Sequence, residues 1–345
     1  MGIAWRRDAL YFRAMLIREP AVAGMFYPDE APGCLKSVEQ CVRRASDPVL
    51  RDDATVQGTL GGEARRDPTR RVLTPDASAG RVGRILGGVV PHAGWVCSGA
   101  VAARVILHIA QRRAPEPGSI KAQPLTIVIF GAIHVPHGPR PSIYPSGAWR
   151  TPLGLATVDD ALSDALITQT RLLDAAPQAH RDEHSIEVEV PFIQHLLPDA
   201  RILPIMTPPA EGAVELGAAV GEMCRAGGAN VAFLASTDLT HYGPSYGFMP
   251  RGLGDDGLRW AKDVNDRRMI DLMLALRAES AVAEARANQN ACGAGAIAAT
   301  IAACRACGAT RADLLEHTTS HEVLSAIRPE RPRDAVGYAG LIFTD

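Results

Sequence analysis

Three apolar, β-branched-rich runs constrain the fold of this chain more than any other feature of its sequence. They cover residues Ile85 to Val90, Leu125 to Phe130 and Val231 to Ala235, and each leads into a turn that carries a histidine or an aspartate. Helical stretches separate the runs, and strands that alternate with helices indicate an α/β layer architecture. Because residues just past parallel strand ends converge in such a sheet, we expect one binding site there.

The fold class that this pattern predicts is a single α/β domain. A chain of 345 residues is long enough for one large domain or two ordinary ones. We find no internal repeat and no clean boundary, so one domain is favoured over two. Residues 47–80 are polar and lack an apolar period, and we predict a flexible insertion there.

Composition excludes several classes of protein. The formal net charge is −2 and the basic residues are dispersed, which argues against a nucleic-acid partner. No run approaches the roughly 18 apolar residues that a membrane span needs. The seven cysteines are odd in number, and the N-terminus lacks the apolar run of a signal peptide. We therefore expect a cytoplasmic protein without a disulfide framework and without membrane association.

Two histidines follow the first two apolar runs directly. His92 lies in the segment PHAGW and His134 in the segment GAIH. A neutral imidazole is a good ligand for iron, copper or zinc. Each histidine alone is equally consistent with a hydrogen-bonded residue at a strand end, and His137 is a rival for the role of His134. Two histidines at two strand ends favour a metal site.

Asp238 and His241 follow the third run in the segment STDLTHYG. Their spacing of three would place both side chains on one face of the first turn of a helix. There they would orient metal ligands or act as a general acid/base pair. The alternative for Asp238 is a helix cap.

His184 and Glu187 lie at the start of a helix predicted for residues 185–197, in the segment DEHSIE. A histidine and a carboxylate at this spacing can move protons or fix the tautomer of a ligand. They are equally consistent with a structural ion pair at a helix N-terminus, with Asp182 or Ser185 as the cap.

Cys292 precedes a glycine-containing helix start in the segment CGAGAI. The helix N-terminus would lower the pKa of its thiol, which predicts a thiolate ligand or a nucleophile. The alternative is a small buried residue. Cys304 and Cys307 form a CxxC motif without a second pair, which disfavours a zinc site. The phosphate-loop, GxSxG and HExxH motifs are absent.

Taken in order, the segments PHAGWVCSG, GAIHVPHG, DEHSIEVEVPF, STDLTHYG, CGAGAI and the final GYAG resemble the Memo family. Its prokaryotic members are called AmmeMemoRadiSam system protein B. The resemblance extends from about residue 18 to the C-terminus, which implies an N-terminal extension at residues 1–17 and one Memo-like domain at residues 18–345. It also implies a fold similar to LigB-type class III extradiol dioxygenases, with a central mixed sheet flanked by helices on both faces. It also implies that His92, His134 and Cys292 hold a metal, and that Asp238 and His241 line the same pocket.

The resemblance implies one mononuclear site for Fe(II) or Cu(I)/Cu(II) in a redox or O₂-dependent oxidoreductase. Asp238, His241, His184 and Glu187 would be its catalytic residues. Expected partners are AmmeMemoRadiSam system protein A and a radical SAM protein. Two alternatives stay open: a ring-cleaving dioxygenase that would use Glu187 in place of Cys292, and a non-catalytic module that binds a peptide or protein in a vestigial cleft.

Overall fold

Twelve strands form two sheets in the part of the chain that the structure, a computed structural model, describes. The described residues are 16–46, 83–112, 124–136, 138–328 and 333–345. In chain order the strands are β1 (Ile17–Arg18), β2 (Ile85–Val90), β3 (Thr126–Gly131), β4 (Ser142–Ile143), β5 (Ala148–Thr151), β6 (Gly154–Thr157), β7 (Asp174–Ala175), β8 (Arg201–Met206), β9 (Val231–Ser236), β10 (His241–Tyr242), β11 (Arg311–Thr319) and β12 (Ala335–Thr344).

The large sheet is mixed. Its strand order is β10-β12-β2-β9-β3-β8-β4-β7, with β11 paired to β12. The four central strands β2, β9, β3 and β8 are parallel, whereas β12 and β4 flank them in antiparallel orientation. All residues of β2, β3 and β9 are buried, which explains their nearly continuous apolar sequences. The short strands β1, β5 and β6 form a separate sheet.

Helices cover both faces of the large sheet. In chain order they are α1 (Ala31–Ser46), α2 (Trp95–Arg112), α3 (Asp160–Thr170), α4 (Val190–Leu196), α5 (Gly212–Ala226), α6 (Asp255–Trp260), α7 (Arg267–Leu274), α8 (Ala278–Asn288), α9 (Ala294–Ala306) and α10 (Ser320–Ser325). A π-helix, Ala261–Asp266, joins α6 to α7, and 3₁₀ turns occur at Pro177–His180, Glu187–Glu189 and Pro244–Tyr246.

Two adjacent glycines of β2 show how closely the helices approach the sheet. A Cβ atom on Gly88 would lie 2.6 Å from the side chain of Val105 in α2, and one on Gly87 would lie 2.7 Å from Cys304 Sγ in α9. Because successive residues of a strand face opposite sides, α2 and α9 lie on opposite faces of the sheet. The predicted fold class, an α/β domain with helices on both faces, is confirmed.

The structure also corrects parts of the prediction. The helix predicted for residues 185–197 is an α-helix only over Val190–Leu196, after the 3₁₀ turn. The strand Arg311–Thr319 and the helix Ser320–Ser325 were not predicted, because most of their residues are only partly buried and give no clear apolar period. The insertion predicted at residues 47–80 lies outside the described residues. Among those that are described, no helix combines the length and the apolar character of a membrane span.

The packing of α5 against α9 depends on glycine. A Cβ atom on Gly217 would lie 2.1 Å from the Ala299 carbonyl oxygen, whereas one on Gly212, in the same helix, would meet nothing within 4 Å. We predict that Gly217→Ala lowers the free energy of unfolding by about 1–3 kcal/mol through overpacking. Gly212→Ala should leave it unchanged or raise it by up to about 1 kcal/mol. Urea denaturation of both variants measures this, and equal effects would contradict the close helix contact.

Candidate metal centre

His92 is buried just past the carboxyl end of β2, with 2% of its surface exposed. Its backbone N–H donates to Asp238 Oδ1 at 2.8 Å, and its Nδ1 lies 2.9 Å from Ser236 Oγ. The Ser236 hydroxyl donates its own proton to the Ser185 carbonyl oxygen, so it accepts from His92 Nδ1–H. This arrangement leaves Nε2 of His92 unprotonated and able to bind a metal.

His134 follows β3 and is oriented by a buried carboxylate. Its backbone N–H donates to Glu183 Oε2 at 2.6 Å, and its Nδ1 lies 2.9 Å from Glu183 Oε1. Burial acts to raise the pKa of Glu183, but the hydrogen bonds and charge of His134 outweigh it and lower the pKa to about 2. The ionised carboxylate accepts a hydrogen bond from Nδ1–H of His134. The other ring nitrogen of His134, Nε2, is therefore the atom available to bind a metal.

His184 brings a third imidazole to the same place. Its backbone N–H donates to Glu183 Oε1 at 3.0 Å. Its ring centroid is 4.5 Å from that of His134 and 5.4 Å from that of His92. One potential ligand nitrogen from each of the three histidines lies within 4.8 Å of the other two. The three side chains are therefore close enough together to hold one metal ion.

The protonation state of these imidazoles also suits a metal. Burial, followed by the neighbouring His134, lowers the pKa of His92 well below its usual range. The same two causes lower the pKa of His184. Both rings are therefore neutral at pH 7, which is the form that binds metal ions. The donor chemistry fits iron, copper or zinc, all of which accept imidazole ligands.

Cys292 lies beside this group. Its Sγ is 3.3 Å from His92 Nε2 and accepts the backbone N–H of Asp238 at 3.2 Å. The sequence predicted a lowered thiol pKa from the start of α9, and this was wrong: burial, followed by the Asp238 carboxylate, raises the pKa of Cys292. A bound metal would displace the thiol proton directly, so the raised pKa does not exclude Cys292 as a ligand.

Asp238 and His241 lie at the same end of the sheet, but not on a helix. Residues 237–240 are irregular and His241 begins β10. The predicted helical face shared by the two residues was therefore wrong, and the alternative of a helix cap at Asp238 fails for the same reason. Asp238 instead accepts the backbone N–H of His92, and burial raises its pKa to about 7. His241 Nδ1 lies 3.0 Å from the Leu239 carbonyl oxygen, to which it donates. Nε2 of His241 is therefore unprotonated in the neutral ring.

Glu187 belongs to a buried ion pair that anchors the N-terminal segment. Its carboxylate pairs with the Arg18 guanidinium and accepts the Tyr27 hydroxyl at 2.7 Å. It also accepts the backbone N–H groups of Ala21 at 2.7 Å and Val22 at 3.0 Å. Both of its oxygens are thus occupied, and Glu187 lies outside the three-histidine group. The alternative of a helix cap at Asp182 or Ser185 is also not seen. In the described part of the chain, the 3₁₀ turn Glu187–Glu189 has no side-chain cap.

Two residues important for the site were not singled out from the sequence. Glu183 orients His134, and Ser236 orients His92. Both lie next to a selected residue or motif, and a search for partners of each histidine Nδ1 would have drawn attention to them. Glu189 was not singled out either: it is fully buried, neither of its carboxyl oxygens has a hydrogen-bond partner among the described residues, and burial raises its pKa well above the usual range.

A groove of about 630 Å³ adjoins the site. Its lining includes the aromatic residues Phe26 and Trp95 and the basic residues Arg43 and Arg44. The Phe26 ring also contacts His184 edge-on, with ring centroids 4.9 Å apart. The groove and the three-histidine group therefore share one aromatic side chain.

A family model described as Memo-like protein matches residues 18–342. The chain belongs to the Memo family. Its mixed α/β architecture is consistent with the Memo and LigB-like fold. The family resemblance inferred from the sequence motifs is therefore confirmed.

Curated relatives match over nearly their full length. The MEMO1 family protein of Thermococcus onnurineus is 34% identical over 336 residues, covering 95% of this chain and 99% of the relative. The relative from Methanothermobacter thermautotrophicus is 33% identical over 329 residues, covering 94% of this chain and 100% of the relative. The relative from Pyrococcus abyssi is 34% identical over 336 residues, covering 95% of this chain and 99% of the relative. These names state the family and no activity.

The structure thus brings together most of the residues singled out in this Memo protein. His92, His134 and His184 form the close group, with Cys292 and Asp238 in contact with His92. The third member of this group is His184, whereas the sequence resemblance indicated Cys292 as the third metal ligand. The individual roles of Cys292, Asp238, His241 and Glu187 stay predictions.

We predict that Glu187→Gln lowers the free energy of unfolding by about 3–5 kcal/mol, because it leaves the buried Arg18 charge unpaired. The matched control is Glu19→Gln, which breaks the exposed pair with Arg150 and should cost at most about 1 kcal/mol. Denaturant unfolding measures both, and metal analysis of the same samples separates the two roles of Glu187. A Glu187→Gln protein of unchanged stability that loses its metal would contradict the structural role.

Proposed function

We propose that this Memo protein binds one iron or copper ion at the carboxyl ends of the central strands and acts as an oxidoreductase. The observation that carries the proposal is the group of three histidines, two of which present Nε2 because Nδ1 is held by Ser236 or Glu183. Imidazoles whose Nδ1 is held by such partners are typical of metal ligands. Cys292, in contact with His92, is proposed as a further ligand.

A bound iron or copper ion would supply one-electron redox chemistry. The chain's own residues would then orient the ligands and handle protons. We propose that Nε2 of His241 accepts a proton from the reacting molecule or returns it, while Asp238 holds the backbone of His92 in place. Burial of His92 and Asp238 keeps water from this part of the site.

The partners proposed for this chemistry are AmmeMemoRadiSam system protein A and a radical SAM protein. The support for them is family membership, since the name of the prokaryotic members joins the three proteins. A joint modification pathway would place the redox step beside a radical reaction.

A second candidate function is binding of a peptide or partner protein without catalysis. The groove beside the site favours it, because a lining of apolar residues and arginines can take an amphipathic, acidic segment. The ring-cleaving alternative has no comparable support, since the oxygens of Glu187 are already engaged by Arg18 and its neighbours.

The test is elemental analysis of protein purified without oxygen. We expect close to one equivalent of iron or copper in the wild type, and loss of most of it in His92→Ala and His134→Ala. The control His195→Ala changes a histidine of α4 outside the group and should keep its metal. Circular dichroism checks that each variant is folded.

A wild type that contains no metal, even after anaerobic loading with Fe(II) and Cu(I), would contradict the proposed function. Metal that persists in both folded variants would contradict the location of the site. Either result would move the peptide-binding candidate to first place.

A further inference from the structure

His241 can accept a proton only at the ring nitrogen that its tautomer leaves free. Its Nδ1 lies 3.0 Å from the carbonyl oxygen of Leu239, and a carbonyl oxygen can only accept a hydrogen bond. Burial lowers the pKa of His241, so the ring is neutral at pH 7 with its proton on Nδ1. The position of the Leu239 carbonyl therefore decides that Nε2 is the free nitrogen.

The Leu239 carbonyl belongs to a loop that other elements must hold in place. Residues 237–240 form neither helix nor strand. Strand β12 holds part of this loop, because the N–H of Leu239 donates to the Gly337 carbonyl oxygen at 2.8 Å and the N–H of Gly337 donates to the Thr240 carbonyl oxygen at 3.0 Å. The N–H of Thr240 is the donor that β12 leaves unpaired, and it needs a partner elsewhere.

That partner is the last residue of the π-helix Ala261–Asp266. Asp266 Oδ1 accepts the N–H of Thr240 at 2.9 Å, and Nδ2 of Asn265 donates to the Thr240 hydroxyl oxygen at 3.1 Å. Both side chains are buried. This is the only π-helix among the described residues, and π-helices often occur at functional sites. It directs two buried polar side chains to the residue that precedes His241.

The carboxylate of Asp266 is itself fixed from two sides. Its second oxygen, Oδ2, lies 3.0 Å from Nε2 of His317 in β11. A Cβ atom on Gly337 would overlap the same oxygen, so the carboxylate lies directly against β12. Asp266 therefore cannot turn away from Thr240 without losing its contact with His317.

We propose that Asp266 is the positioning residue for His241. By holding the backbone of Thr240, it aims the Leu239 carbonyl at Nδ1 of His241, and Nε2 stays unprotonated. A carboxylate suits this role because a hydrogen bond to a charged acceptor is stronger than one to a neutral acceptor. This inference rests on the proposed proton transfer by His241 and adds the residue that makes Nε2 available for it.

The experiment reads the tautomer of His241 by ¹⁵N NMR of metal-free protein labelled at its 10 histidines. Protonated and unprotonated ring nitrogens differ clearly in chemical shift, and a His241→Gln spectrum assigns the signals. We expect wild-type His241 to carry its proton on Nδ1. In Asp266→Ala the fraction protonated on Nε2 should rise by roughly 2–10-fold, the factor that one net hydrogen bond supplies.

Three further variants separate positioning from a general loss of structure. Asp266→Asn keeps an oxygen that can accept the Thr240 N–H, so it should keep the wild-type tautomer. Gly337→Ala should shift the tautomer as Asp266→Ala does, because its Cβ atom displaces the carboxylate without removing it. The matched control, Asp271→Ala, removes a carboxylate of α7 that pairs with Arg267 at the surface and should change nothing.

Wild-type His241 with its proton on Nε2 would overturn the proposal, and this result does not depend on the folding of any variant. A folded Asp266→Ala or Gly337→Ala protein with the wild-type tautomer would also overturn it, since Asp266 would then serve stability alone. The measurement is made without metal. A protein that binds no metal would contradict the proposed function and leave the tautomer result valid, so the two failures are distinguishable.

Discussion

The rest of the candidate metal centre depends on the hydrogen bonds that the carboxylate of Glu183 accepts. It accepts the side-chain and backbone N–H groups of His134 and the backbone N–H groups of His184 and Ser185. Ser185 in turn donates to the Ala132 carbonyl oxygen and accepts the hydroxyl of Ser236, which holds His92. One buried negative charge thereby connects the ends of β3 and β9 and positions all three imidazoles.

This arrangement is stable because the sheet supplies rigid attachment points. The parallel strands β2, β3 and β9 end at the same level, so the residues that follow them meet without long loops. The N-terminal segment closes one side of the site through the buried pair of Arg18 and Glu187. Arg18 also donates to the Glu183 backbone carbonyl, so the anchoring pair and the metal centre belong to one hydrogen-bonded network.

Much of the fold could be predicted from sequence because buried parallel strands have nearly continuous apolar sequences. The strand Ile85–Val90 has the predicted limits. Features set by tertiary contacts could not be predicted. The grouping of His184 with His92 depends on an irregular turn held by Glu183, and the raised pKa of Cys292 depends on burial that local sequence does not reveal. His92 and His134 could be singled out because their strands deliver them directly.

The central claim is that one metal ion is bound by histidines at the carboxyl ends of the parallel strands. Anomalous diffraction at the iron absorption edge, from crystals of anaerobically Fe(II)-loaded protein, tests it most directly. The account predicts a single anomalous peak about 2.1 Å from Nε2 of both His92 and His134. A peak elsewhere in the molecule, or none in crystals of protein that carries stoichiometric iron, would contradict it.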